Sequence, residues 1–285
     1  MLLLLLAAVP CLVDHAPAAD VCRDVVPAWE IEKLATPGVT IGVRGAGTAS
    51  ATRAPWVDSN GWRFLLKPSA KYLYDVPKGK AALAAAEAFA FGVHAQLRIV
   101  PADAKPVTSL LAFLRALPDA AALKPAANIA VLDNGSKHIP EVLNLMVRRN
   151  LLARLVSAPD PTADLNVRIG SPEFPEAEAA NPVAVAGKAR KMLTDRKRLL
   201  RIYGTEVVIG RVYLGGGRAR VHLLNYGSSS IAGIRVRVRG SYQKVSLSAF
   251  GFPGAAAEDV VVTADATEFT VPEMGPYAVV DLGGN

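Results

Sequence analysis

Residues Arg218–Gly240 read RARVHLLNYGSSSIAGIRVRVRG. Val221 and Leu223 alternate with His222 and Leu224. Tyr226-Gly-Ser-Ser-Ser then supplies turn residues, and Ile234, Val236 and Val238 alternate with Arg235, Arg237 and Arg239. A period of two belongs to a strand with one dry face and one wet face. The stretch therefore predicts two β-strands joined by a turn, with the arginine row in solvent. Its surroundings follow the same pattern: LLRIY from Leu199, EVVIGRVY, the Gly215-Gly-Gly217 turn, Lys244–Phe250, Asp259–Thr263, Thr267–Val271 and Tyr277–Leu282. Short strands separated by turn signals predict an antiparallel β-sandwich over residues 199–285. Val221, Leu223, Ile234, Val236, Val238 and Val279 are its expected inward-facing positions.

Upstream the rhythm changes. Val39–Val43 reads as a short buried strand. Lys80–Phe91 is an alanine-rich helix stopped by Gly92, a residue favoured just past a helix end. Val93–Val100 alternates as a strand, and Pro106–Leu117 is amphipathic with proline in the first turn. Strand and helix in alternation imply α/β layers over residues 19–117. Pro118–Ala127 (PDAAALKPAA) reads as a linker. A second α/β unit spans 128–198, with a buried strand at Ile129–Leu132, a helix at Ile139–Leu152, and strands at Arg154–Ser157 and Leu165–Ile169. Asn181-Pro182 opens a last helix, as cap and first residue, and that helix ends near Leu193. The fold expected is thus an α/β portion, flavodoxin-like or part of a barrel, followed by an all-β sandwich.

The chain of 285 residues is 51% apolar, carries a net charge of +7, and is composed like a globular protein. Met1–Val13 is continuously apolar, too short to span a membrane at about 20 residues, and is followed by Ala16-Pro17-Ala18. That pattern predicts an export leader over residues 1–18, a secreted or periplasmic protein, and no integral membrane segment after cleavage. Only Cys22 would remain, so no internal disulfide is expected. The positive charge lacks the aromatic interleaving or motif of a nucleic-acid reader, and no nucleic-acid partner is expected.

Two quoted stretches resemble parts of one family. RARVHLLNYGSSSIAGIRVRV with the ending VPEMGPYAVVDL resembles the accessory β-sandwich that closes many bacterial glycoside hydrolases. NIAVLDNGSKHIPEVLNLMVRRNLLARLV resembles a class I glutamine-amidotransferase-like domain, and ALAAAEAFAFGVHAQLRIV is similar to a late helix–strand unit of a (β/α)₈ barrel. In that order they resemble the non-catalytic tail of β-galactosidase-type enzymes. The resemblance implies a barrel remnant at 19–117 and an amidotransferase-like unit at 128–198. Two departures limit what it carries. No cysteine follows Cys22 to serve as an amidotransferase nucleophile. A whole (β/α)₈ barrel takes about 200 residues or more, which Cys22–Leu117 does not supply.

Among chemical groups, Trp56, Asp58, Asn60, Trp62 and Arg63 form the best ligand-binding candidate. A sugar asks for a flat aromatic under its C–H face and for hydrogen-bonding groups at its hydroxyls. Asp-Ser-Asn-Gly is also ordinary turn chemistry, and tryptophans beside a turn are often core. Asp58, Asp75, Glu87 and Asp133 are the carboxylates available for glycoside hydrolysis, with no spacing that pairs any two. His94, His138 and His222 are too scattered for a metal site, and Gly42–Gly47 (GVRGAG) lacks a phosphate-loop pattern. No cofactor or metal is expected. The reading is a secreted, glycoside-hydrolase-related protein, non-catalytic, that binds carbohydrate or a protein partner. Its alternatives are a reduced hydrolase using Asp58 with a second carboxylate, and a structural cell-envelope protein without ligand.

Overall fold

A computed structural model describes residues 11–13, 41–44 and 55–284. The first layer comprises β1 (Cys11–Val13), β2 (Gly42–Arg44), β3 (Trp56–Asp58), α1 (Gly61–Leu66), β4 (Lys71–Asp75), α2 (Ala81–Phe91), β5 (His94–Ile99) and α3 (Ala104–Ala116). Strands β1, β5 and β4 form a parallel sheet in that order, and β2 pairs antiparallel with β3. Strand β1 lies inside the segment read as a leader; the rest of that segment and residues 45–47 lie outside the described residues. Among the described residues the parallel strands do not close into a barrel.

Helix α2 is buried on nearly every side, which is why alanine dominates it: small side chains let it sit close to its neighbours. It packs against α3 and β5, and on its other side against the sandwich. Gly92 ends it in the left-handed conformation at φ 66°, as the sequence predicts.

The stretch expected as a linker holds a two-residue strand, β6 (Lys124–Pro125). It adds to the edge of the sandwich, pairing with Leu214 and Tyr213. A sheet edge tolerates the missing proline N–H, and Leu123 and Ala126 on either side of β6 are buried. The second unit follows, with β7 (Ile129–Leu132), α4 (Ile139–Arg148), β8 (Ala153–Val156), β9 (Leu165–Val167), α5 (Glu176–Ala179) and α6 (Pro182–Lys197). Its parallel sheet runs β8-β7-β9. Asn181 caps α6 by accepting from the Ala184 N–H at 3.3 Å, and the helical backbone breaks at Thr194.

The all-β part contains β10 (Leu200–Tyr203), β11 (Val208–Gly215), β12 (Arg218–Asn225), β13 (Ile231–Arg239), β14 (Lys244–Ala249), β15 (Glu258–Val262), β16 (Ala266–Met274) and β17 (Tyr277–Gly283). They form two antiparallel sheets, β10-β13-β16-β15 and β14-β17-β12-β11-β6. Val221, Leu223, Ile234, Val236 and Val238 meet between them in one core with Phe269 and Val280.

Two expectations fail here for physical reasons. Strand β12 has no wet face: residues 219–225 are all buried, because the outer face of its sheet is covered by the α/β layer. Val279 pairs with His222 and so lies on that outer face, not in the sandwich core. The polar members are paired instead of solvated. Arg220 donates to both oxygens of Asp281 at 2.7 and 2.9 Å, and His222 shares a 2.6 Å hydrogen bond with the Tyr277 hydroxyl. The arginine row on β13 is likewise a half-buried ion-pair ladder. Arg237 is 8% exposed and sits opposite Glu268, and Arg239 meets Asp164 at 2.6 Å.

Candidate functional site

The turn Asp58-Ser-Asn-Gly61 leads from β3 into α1 and makes both parts of the site. Its glycine is required by close approach: a Cβ on Gly61 would lie 2.2 Å from the Phe91 ring of α2. With α1 pressed against α2, Ser59 and Asn60 reach Glu87.

Glu87 is fully buried, and its carboxylate is surrounded by donors. Oε1 accepts from the Ser59 hydroxyl at 2.8 Å, the Asn60 N–H at 2.8 Å and the Tyr226 hydroxyl at 2.6 Å. Oε2 accepts from the Tyr74 hydroxyl at 2.5 Å and from Asn60 Nδ2 at 3.3 Å. Burial, and then the neighbouring carboxylate, push Tyr74 and Tyr226 well above the usual phenol range, so both hydroxyls keep their protons and remain donors. Tyr226 comes from the turn after β12, so the carboxylate ties the sandwich to the α/β layer. A carboxylate so enclosed has no path to a substrate, and Glu87 is a structural hub.

On the outer side of the same turn is a cleft of about 130 Å³ lined by Arg44, Trp56, Asp58, Trp62, Arg63 and Glu141, among others. Asp58 Oδ1 accepts from Arg44 Nε at 2.9 Å, Arg44 Nη2 at 2.7 Å and the Trp56 indole N–H at 3.1 Å. This bonding, with the charge of Asp58 itself, holds the Arg44 guanidinium above its usual range. Each indole also carries a guanidinium. Arg148 from α4 lies 3.7 Å over Trp56, and Arg63 lies 4.3 Å over Trp62. Partial burial lowers both Arg63 and Arg148, with the nearby carboxylates opposing the shift.

Four of the five residues expected to bind ligand thus line one cleft: Trp56, Asp58, Trp62 and Arg63. Asn60 does not. It is fully buried, giving Nδ2 to Glu87 and accepting from Arg63 Nη1 at 3.1 Å, which makes it the link between hub and cleft. Sequence reading missed Arg44, Glu141 and Arg148, which lie 14 residues or more from Asp58 along the chain and carry no motif. The other carboxylates lie elsewhere: Asp75 pairs with Arg98 at 2.7 Å, and Asp133 shapes its own exposed turn. Among the described residues no three His, Cys, Asp or Glu side chains gather as a metal ion would need, and no helix is long and apolar enough to cross a membrane.

No family model and no curated protein matches the sequence. Solved structures do. α-L-Fucosidase isoenzyme 2 from Paenibacillus thiaminolyticus superposes with a TM-score of 0.59 at 10% identity, over 76% of this chain and 61% of that one. A GH30 endoxylanase from Clostridium papyrosolvens C71 covers 79% of this chain and 60% of its own, at 11% identity and a TM-score of 0.22, a likeness that carries no weight. The chain spans less than two thirds of the fucosidase, and at 10% identity the likeness is one of fold alone. Over the matched part the molecule shares the α/β-plus-sandwich fold of that fucosidase.

Proposed function

We propose that this protein is a non-catalytic, glycoside-hydrolase-related carbohydrate-binding protein whose ligand enters the cleft of Trp56, Asp58, Trp62 and Arg63. The observation that carries the reading is that two indoles, three guanidinium groups and the carboxylates of Asp58 and Glu141 converge where α1 meets α4. Guanidinium and carboxylate groups offer paired hydrogen bonds to adjacent sugar hydroxyls, and the two indoles that border the cleft add apolar surface for C–H contacts. The cleft is well below the ~300 Å³ of a typical enclosed ligand pocket. It therefore takes the end of a glycan, with a Kd on the order of 1 mM, or about −4 kcal/mol.

The non-catalytic part rests on the carboxylates. Glu87 is enclosed by donors, and Asp58 is engaged by Arg44 and Trp56. The finer kinship, with the tail of β-galactosidase-type enzymes and an amidotransferase-like unit at 128–198, is part of the same proposal. So is export. Cleavage after Ala18 would remove β1, so N-terminal sequencing of the mature protein decides between a leader and a structural strand.

A second reading has one observation in its favour: Asp58 and Glu141 share the cleft, as an acid and a base of a hydrolase would. The fucosidase likeness makes α-L-fucosides the first compounds to try. Binding without turnover of a nitrophenyl fucoside supports the proposal. Turnover abolished by Glu141→Gln and by Asp58→Asn would replace it with the hydrolase.

A further inference from the structure

A second cleft, of about 470 Å³, lies along α6 beside the C-terminal end of α4. Gly187, Arg190, Lys191 and Thr194 fall on one stripe of α6 and line it together with Arg149 and Asp195. The Arg149 guanidinium lies against α6 beside Gly187, where Nη1 donates to the Val183 carbonyl at 3.4 Å. Asp195 is the single carboxylate, and it is shared: Arg190 at 3.6 Å, Arg198 at 3.5 Å and Arg201 at 3.2 Å all face it. With Arg149 and Lys191 added, the cationic excess is large.

Two features mark this as more than a solvated charged face. Arg149 in the lining is half-buried, and Arg198 behind it, bonded to the Arg149 carbonyl at 3.0 Å, is 7% exposed, so part of the charge is desolvated. Burial, reinforced by repulsion from Arg190, lowers both guanidinium groups. Thr194 holds φ 62°, ψ 155°, a region that β-branched residues avoid, and this break in α6 turns Asp195 toward Arg198 and Arg201.

We propose that the cleft is an anion site that takes a sulfate or phosphate group, with Arg149 and Arg190 as its principal ligands. Guanidinium forks match tetrahedral oxyanions, and an anion here would relieve repulsion that Asp195 only partly offsets. The reading is independent of the carbohydrate cleft. The test uses the full chain. Thermal unfolding is followed in millimolar sodium sulfate and phosphate against sodium chloride at equal ionic strength, for the wild type, Arg190→Gln and Arg149→Gln. Arg190 is half-exposed, so its variant should unfold in chloride near the wild-type temperature. The expected result is a saturable rise in melting temperature with sulfate and phosphate, and about tenfold weaker binding in each variant. A parallel titration with dextran sulfate, matched in total sulfate, separates the sources. Tighter binding of the polymer that is also weakened by both variants assigns the sulfate group of a chain, and equal binding per sulfate assigns the free ion. General salting-in or salting-out acts on all three proteins alike. A rise identical in wild type and variants, or none beyond chloride, overturns the proposal.

Discussion

Tyr226→Phe is the smallest change that tests how the sandwich is joined to the α/β layer. It deletes one hydroxyl and keeps the buried ring among the same apolar neighbours. The main bond lost is the 2.6 Å donation to Glu87 Oε1, with a longer 3.1 Å contact to the Ser59 hydroxyl. Hydrogen bonds to charged groups contribute about 1.5–3 kcal/mol net. Oε1 keeps the Ser59 hydroxyl and the Asn60 N–H, so it is not orphaned, and the middle of that range, about 2 kcal/mol, is the expected loss. Tyr74→Phe should cost more, toward ~3 kcal/mol, because Oε2 would retain only the longer contact from Asn60 Nδ2. Both act on one carboxylate, so the double variant should deviate from additivity by at least about 0.5 kcal/mol. Urea unfolding, read as a fall in midpoint at constant slope, measures all three. A loss below about 0.5 kcal/mol for Tyr226→Phe, or strict additivity with Tyr74→Phe, would refute the hub.

Two further outcomes follow from burial on the sandwich. His222 is fully buried and its pKa is lowered to about 3 from 6.5, chiefly by desolvation, so the folded state favours the neutral ring. Its contribution is therefore complete above pH 6.5 and is lost as pH falls toward 3, at a slope of ~1.4 kcal/mol per pH unit that His222→Gln should flatten in urea melts between pH 6 and 4. Val236→Ala should cost ~2–4 kcal/mol as a core truncation, and Arg237→Ala about 1 kcal/mol or more, above an exposed arginine, because it strips Glu268 and Asp265 of a buried partner. An Arg237→Ala loss within 0.5 kcal/mol of zero would return the row to solvent.

Much of the sandwich was legible because period-two alternation survives whatever covers it. Ile234, Val236 and Val238 could be placed without knowing their partners. What covers the second face could not. Arg220 and His222 carry the polarity of solvated residues, and only the cross-strand Asp281 and Tyr277 make them buried. In the site, the turn at Asp58–Gly61 was readable from turn chemistry. Glu87 was not readable as a hub, because its donors come from Ser59, Tyr74 and Tyr226, the last 139 residues away. The same holds for the cleft, where Arg44 and Glu141 arrive from separate elements. Local pattern sets strand, helix and turn; long-range pairing decides whether a charge is a ligand, a bolt or a surface.

The most direct test of the proposed function reads the tryptophan indole N–H resonances in a two-dimensional ¹H–¹⁵N spectrum. The chain has three tryptophans, so Trp56→Phe and Trp62→Phe assign two of the three signals. Titration with fucosylated and other oligosaccharides into the millimolar range should shift the Trp56 and Trp62 signals along saturable curves with one common Kd, and Asp58→Asn should weaken both. If a glycan is bound, as judged by calorimetry, while both of these signals stay in place, or if no glycan moves either signal, the cleft is not a carbohydrate site.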